Sequence, residues 1–283
     1  MLNVALAVLS GLIWGVGDFA GGKATQEAAA LPVVWVSKLV SLPLLAIYLI
    51  ATYVPVTPIG LAWGAMAGVA GFVGLVLFYR ALSAGAMTVV APVTGVTSAA
   101  IPVVAGLVWG ERPSGARLLG VGCALLAIAL VSIAPHAPGR PQVISWRLVA
   151  VALGSGAGFG LFFILLAVAG DASGGSAGLW PIAGSQLSAL IIGGLLILMA
   201  RPGPWPRYAS LRFTMLAGPC DMTANALFLL ATRGGDLSIV APLAALYPVT
   251  TVILALLIDH ERLRGIQVAG LAFAVAALAL VSS

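Results

Sequence analysis

Charged side chains are scarce in this sequence: Asp, Glu, Lys and Arg make up 7% of its residues, against about 25% in an average soluble domain. So few charges cannot cover the surface of a soluble fold of 283 residues. Cysteine is nearly missing too. Cys123 and Cys220 each lie inside an apolar run, away from any Cys or His at metal-ligand spacing, which excludes a disulfide framework and a redox motif. The two histidines, His136 and His260, fall in connections far from Asp18 and Asp221. An enzyme or lipid-handling protein would need converging acid and base groups, so no enzyme is expected and no cofactor or metal is called for. A nucleotide-binding P-loop is missing as well. A basic leader followed by a small-residue cleavage site is also lacking, and no cleaved signal peptide is expected.

What is present is apolar: 61% of the residues, with a mean hydropathy of +1.16 spread along the whole chain. The net charge of +5 comes from Lys and Arg placed singly between hydrophobic runs. That pattern reads as interfacial anchoring in a lipid bilayer and not as a nucleic-acid surface. A bilayer-spanning helix needs about 20 predominantly apolar residues. Ten such stretches are predicted, at 2–22, 32–52, 61–80, 87–108, 115–134, 145–169, 178–200, 210–231, 236–258 and 264–282. The links between them are short and rich in Pro and Gly, as in the run from Tyr53 to Pro58 and that from Arg201 to Pro206, so consecutive spans are expected to be antiparallel neighbours. The longest polar break, from Pro135 to Pro141, divides the chain into residues 1–135 and 146–283, joined by a loop over 136–145.

The two parts repeat one another. Residues 78–132 slide without gaps onto 228–282, placing Val90-Ala91-Pro92 on Val240-Ala241-Pro242 and Glu111-Arg112 on Glu261-Arg262, with about a third of the window identical. More weakly, Ser10-Gly11 and Trp14-Gly15 match Ser155-Gly156 and Phe159-Gly160, and Ser37-Lys38-Leu39 matches Ser185-Gln186-Leu187. Five spans in each half is an odd number, so the second half enters from the opposite side. The expected fold is an all-α membrane protein of ten transmembrane helices in two inverted five-helix repeats around a central cavity. Such repeats are a recurrent architecture of secondary transporters.

With Trp14-Gly15 in the opening span, Phe78-Tyr79-Arg80-Ala81-Leu82 leading to Val90-Ala91-Pro92, and Gly110-Glu111-Arg112-Pro113 beyond it, each half resembles an EamA-type unit of the drug/metabolite transporter superfamily. The resemblance implies a multi-pass carrier in the cell membrane, the cytoplasmic or inner membrane in a prokaryote, lined by the first, third, fourth, sixth, eighth and ninth spans. It implies alternating access and export of amino acids or related amphipathic compounds, with a drug or toxic-cation exporter as the alternative. The expected partners are a small-molecule metabolite and the lipid bilayer, with no nucleic acid. A monomer suffices, since one chain holds both sides of the cavity, and a homodimer is allowed. The link between the second and third spans departs from the family in carrying no basic residue. The resemblance places both termini in the cytoplasm, whereas Lys23, Arg80, Arg140, Arg201, Arg207 and Arg262 on one side outnumber Arg112, Arg117 and Arg233 on the other and favour the reverse.

A charge at the bilayer centre costs about 2.5–3.5 kcal/mol on insertion scales, so each ionisable group there is a candidate for function. Asp18, Lys38 and Asp221 lie well within predicted spans. Asp18 and Lys38 are expected roughly 6–9 Å deep on consecutive spans, where they pair with each other or snorkel to the interface, or else contact the substrate charge on the cavity wall. Asp221 stands one turn before Asn225, which puts both on one helix face as a polar wall, and its carboxylate is a candidate for exchanging a proton or for a structural hydrogen bond between helices. Trp14, Tyr79, Phe159, Phe163 and Tyr247 are candidates for stacking on an apolar or aromatic substrate, with helix packing as the plainer alternative. Pro92, with Thr94 and Ser98 following, is expected to loosen the backbone beside the substrate path, as is Pro242. Glu111-Arg112 and Glu261-Arg262 read as interfacial end-caps. The glycines from Gly154 to Gly160 lack the nucleotide-loop pattern and are expected, like Gly64, Gly68, Gly71 and Gly74, to permit close helix approach.

Overall fold

The computed structural model describes residues 1–83, 87–133, 145–172, 177–200, 203–259 and 264–282, and among these residues every regular element is an α-helix. In lipid the backbone polar groups must pair internally, and helices do this within one segment. The helices are α1 (Leu2–Thr25), α2 (Ala30–Val40), α3 (Leu42–Thr52), α4 (Pro58–Ser83), α5 (Met87–Val108), α6 (Gly115–Val131), α7 (Trp146–Ala172), α8 (Trp180–Met199), α9 (Tyr208–Thr232), α10 (Leu237–Ala244), α11 (Tyr247–Ile258) and α12 (Gly265–Ser282). Among the described residues they make nine crossings long and apolar enough to span a bilayer, with α2 and α3 joined in one interrupted crossing and α10 and α11 in another, and the shorter apolar α6 stands as a tenth. The central join falls in 134–144, outside the described residues.

The interruptions are not where Pro92 and Pro242 had suggested. Both of those prolines sit inside continuous helices, α5 and α10. The breaks come at Ser41, just before Pro43, and at Ala245-Leu246, just before Pro248. Each of these prolines lacks the N–H that would reach the carbonyl four residues back. At Ser41 the hydroxyl takes over part of the bonding: it donates to the Lys38 carbonyl at 2.8 Å and accepts from Gln186 Nε2 at 2.5 Å. In the first half, Thr97 and Ser98 stand where the second has Tyr247 and Pro248, and α5 runs through unbroken.

The halves interlock. The opening helix of each packs mainly on the third and fourth spans of the other: α1 on α9, α10 and α11, and α7 on α4 and α5. The fifth spans, α6 and α12, pack on each other. Two hydrogen bonds repeat the relation: Ser10 Oγ donates to the Ala224 carbonyl and Ser155 Oγ to the Gly74 carbonyl, each at 2.8 Å. An aromatic pair repeats it again, with Trp14 and Phe228 at 6.0 Å between ring centroids and Phe159 and Phe78 at 6.4 Å.

Close approach of α4 and α8 rests on glycine. A Cβ at Gly64 would lie 2.0 Å from the Pro181 carbonyl oxygen, and one at Gly184 2.2 Å from that of Leu61. Gly184→Val is therefore expected to force these helices apart and to destabilise the protein by at least the ~1–3 kcal/mol typical of overpacking. Thermal melting in detergent measures this, and an unchanged transition would mean that the contact yields freely.

Candidate functional site

Lys38 does not pair with Asp18 across the first hairpin. Its Nζ meets Asp221 Oδ2 at 2.5 Å, joining the second span of one half to the third span of the other. Neither end is sealed: the Lys38 side chain is 20% exposed and that of Asp221 34%. Trp14 Nε1 points at Asp221 Oδ1 over a longer 3.4 Å. One turn along α9, Asn225 Nδ2 donates to the Asp221 carbonyl at 2.6 Å. The Asn225 side chain is buried, and its Oδ1 has no hydrogen-bond partner.

An apolar floor adjoins these groups. Trp14, Phe163 and Phe228, all buried, form a triangle with centroid separations of 5.5 Å (Trp14–Phe163), 6.0 Å (Trp14–Phe228) and 4.9 Å (Phe163–Phe228). Trp14 belongs to both sets, with its ring in the aromatic cluster and its N–H toward the carboxylate. Phe228 was not singled out from the sequence. Its repeat position, opposite Phe78, was the signal that could have found it.

Asp18 occupies an unusual place. On α1 it shares a face with Ala7, Gly11, Trp14 and Gly15, all buried, and lies opposite Leu9 and Leu12, which are exposed along the outside of the bundle. Helical spacing therefore turns Asp18 inward. Yet the residue is exposed, so it faces a water-reached space inside the bundle and not lipid. The next residue toward the cluster, Gly17, abuts Cys220 and the backbone of Asp221. Asp18 lies within electrostatic reach of Asp221 and of Tyr247 on α11. No cation pairs with it among the described residues.

The other sequence candidates scatter. Thr94 is buried and donates to the Ala152 carbonyl at 3.1 Å, tying α5 to α7, and Ser98 closes on the Gly95 carbonyl of its own helix at 2.8 Å. Pro92 lies within α5 in the same region. Phe159 stacks edge-on with Phe78, away from the charged groups, in the repeat-related position of Trp14. The Tyr79 side chain lies outside the described residues, as do Glu261 and Arg262.

Glu111 is an end-cap of another helix than its own. Its Oε1 accepts the Leu237 N–H at 2.7 Å and its Oε2 the Ser238 N–H at 2.8 Å, closing the N-terminus of α10 in the other half. The end of α5 delivers it. Gly110, at φ +102°, turns the chain with Glu111 N–H bonded to the Gly106 carbonyl at 3.0 Å and Gly110 N–H to that of Leu107 at 3.2 Å, the paired bonds of a Schellman stop. Arg112 then donates to the Leu107 carbonyl at 3.0 Å, capping α5 itself. On the opposite face Lys23 Nζ and Asp259 Oδ1, 2.6 Å apart, tie α1 to α11.

Two inverted, interlocked repeats of apolar helices, with charged groups where the repeats meet, form an architecture that recurs among secondary transporters. The EamA-like transporter family matches residues 1–133. The first half of the chain is thus similar to that family, and its long apolar helices fit a multi-pass membrane protein. A solved crystal structure superposes on it with a TM-score of 0.80 over 99% of this chain and 98% of that one, at 15% identity, and so shares the fold. No curated protein matches the sequence.

Proposed function

We propose that this protein is a secondary carrier that exports amino acids or related amphipathic compounds by alternating access. The observation that carries the reading is the Lys38–Asp221 ion pair set against the Trp14, Phe163 and Phe228 rings. A zwitterion that enters between the two side chains gives its carboxylate to Lys38 and its ammonium to Asp221. Both protein charges thus keep a partner in the loaded state, as low-dielectric surroundings require. The rings supply an apolar face for the substrate's side chain at little entropic cost. Asn225 Oδ1, buried without a donor, is a further acceptor for the ammonium. Thr94, Ser98, Pro92 and Phe159 act in this reading as packing groups of the repeat-related side. One observation favours the drug or toxic-cation alternative: the uncompensated carboxylate of Asp18.

Export and cytoplasmic termini follow the resemblance, and a reporter fused after Ser283 tests the orientation against the opposing count of basic residues. The protein acts as a monomer in this reading. The site carboxylates Asp18 and Asp221 serve binding in this reading.

The test is counterflow of labelled amino acids in proteoliposomes. Large apolar and aromatic amino acids are expected to move at least about tenfold faster than glycine, the equivalent of roughly 1.4 kcal/mol. Phe163→Ala is expected to shrink that preference severalfold. If no amino acid moves under any gradient, the substrate class falls.

A further inference from the structure

We infer that Asp18 is the charge-selecting residue of this site, and that the site loads only together with one net positive charge. The inference rests on the carrier reading above and names the electrical class of what is carried. Three ionisable side chains lie where the halves join: Lys38, Asp221 and Asp18. Lys38 and Asp221 neutralise each other at 2.5 Å. Asp18 is left over, turned to the interior, reached by water, and without a cation among the described residues. The ionisable groups near it are Asp221 on α9 and Tyr247 on α11, with Cys220 packed against the adjoining Gly17; Lys38 on α2 is engaged with Asp221. Further along α1, Lys23 is committed to Asp259.

The arithmetic of charge then constrains the ligand. With the interior open to water, solvent supports the surplus carboxylate. Closing the site around a substrate expels that water, and an unmatched charge in low dielectric is strongly disfavoured. A neutral zwitterion exchanges partners with Lys38 and Asp221 but adds no charge, so the loaded site still carries the excess at Asp18. A substrate of net charge +1 completes it: an amino acid with a basic side chain, or an amphipathic amine lacking the carboxylate. The same need is met when a neutral zwitterion travels with one proton, taken by an Asp18 oxygen from the water on the loading side and released to the water on the other. The rings of Trp14 and Phe163 stand beside either arrangement.

Charge moved per substrate distinguishes these routes. Purified protein in proteoliposomes is given phenylalanine, phenylalanine amide and arginine at pH 7.5, with the membrane potential clamped by potassium and valinomycin and lumenal pH followed by a trapped dye. The expected result is one positive charge per molecule for each substrate that moves. Arginine and the amide carry it themselves, and phenylalanine moves only with a proton. Asp18→Asn is expected to abolish proton movement with phenylalanine and to lower the rate for the two cations at least about tenfold, while Asp18→Glu keeps both behaviours. Phenylalanine crossing with no net charge, or Asp18→Asn leaving charge per substrate unchanged, overturns the inference while the carrier reading stands. If none of the three moves through wild type, a wider panel of amine substrates read by the same dye and potential decides whether the carrier reading itself fails, and the inference falls with it. Thermal melting of each variant beforehand separates loss of charge selection from loss of fold.

Discussion

Lys38→Ala is expected to cost stability and transport together, and the double replacement Lys38→Leu with Asp221→Leu to restore the first without the second. Removing one member of a buried ion pair leaves an uncompensated charge and typically costs about 3–5 kcal/mol. Here the two ends keep 20% and 34% of their exposure, so water screens part of the loss and about 2–3 kcal/mol is expected. Asp221 would be left with the long Trp14 contact alone. Two leucines fill the space with apolar bulk, and buried ion pairs replaced in this way are often neutral in stability or better. Transport needs the charges themselves, so counterflow in the double variant is expected to fall by at least about tenfold while its melting temperature returns near wild type. A double variant that melts normally and transports normally would show that the pair is only structural.

The second large effect is expected at Glu111. Its carboxylate accepts two backbone N–H groups at the start of α10, where the helix dipole also favours negative charge. Hydrogen bonds to charged groups contribute about 1.5–3 kcal/mol each and are not additive. Glu111→Ala is expected to destabilise the start of α10 by about 3 kcal/mol and Glu111→Gln by about 2 kcal/mol, since the amide presents only one acceptor. The local readout is hydrogen exchange at Leu237 and Ser238, with protection falling roughly thirtyfold for the amide and roughly 150-fold for the alanine variant. Gly106→Ala acts in the same direction, because a Cβ there would come within 2.2 Å of Glu111 Oε2. Unchanged exchange in all three variants would remove Glu111 from the set of contacts that hold the halves together.

The span count, the inverted repeat and the packing role of the glycines were legible because they follow from local rules. Lipid demands some twenty apolar residues per crossing, an odd number of crossings inverts the second half, and Gly64 or Gly184 is readable as a point of close approach. The breaks were only half legible. Proline marks where a helix loses a hydrogen bond, but Pro92 and Pro242 are absorbed inside helices while Pro43 and Pro248 accompany interruptions. The outcome depends on neighbours such as Ser41 and Gln186, far apart in sequence. The identity of the ionisable residues in the spans was also plain, since so few charges occur in them.

Their pairing was not. The nearest partner for Lys38 along the chain was Asp18, on the adjacent span, and the one it takes is Asp221, 183 positions away. That choice comes from the interlocking of the halves, which sets α2 and α1 against α9. The repeat itself misleads here: the matches that set Ser10 on Ser155, Ser37 on Ser185 and Val90 on Val240 carry Asp18 to Phe163, Lys38 to Gln186 and Asp221 to Gly71. One repeat-related side of the bundle is charged and the other is uncharged, although the backbones correspond. Sequence alone determined the solvent, the number of crossings and their symmetry, because each is a property of one helix in lipid. Only the tertiary structure decided which charge is neutralised and which is left exposed, because that depends on distances between helices far apart along the chain.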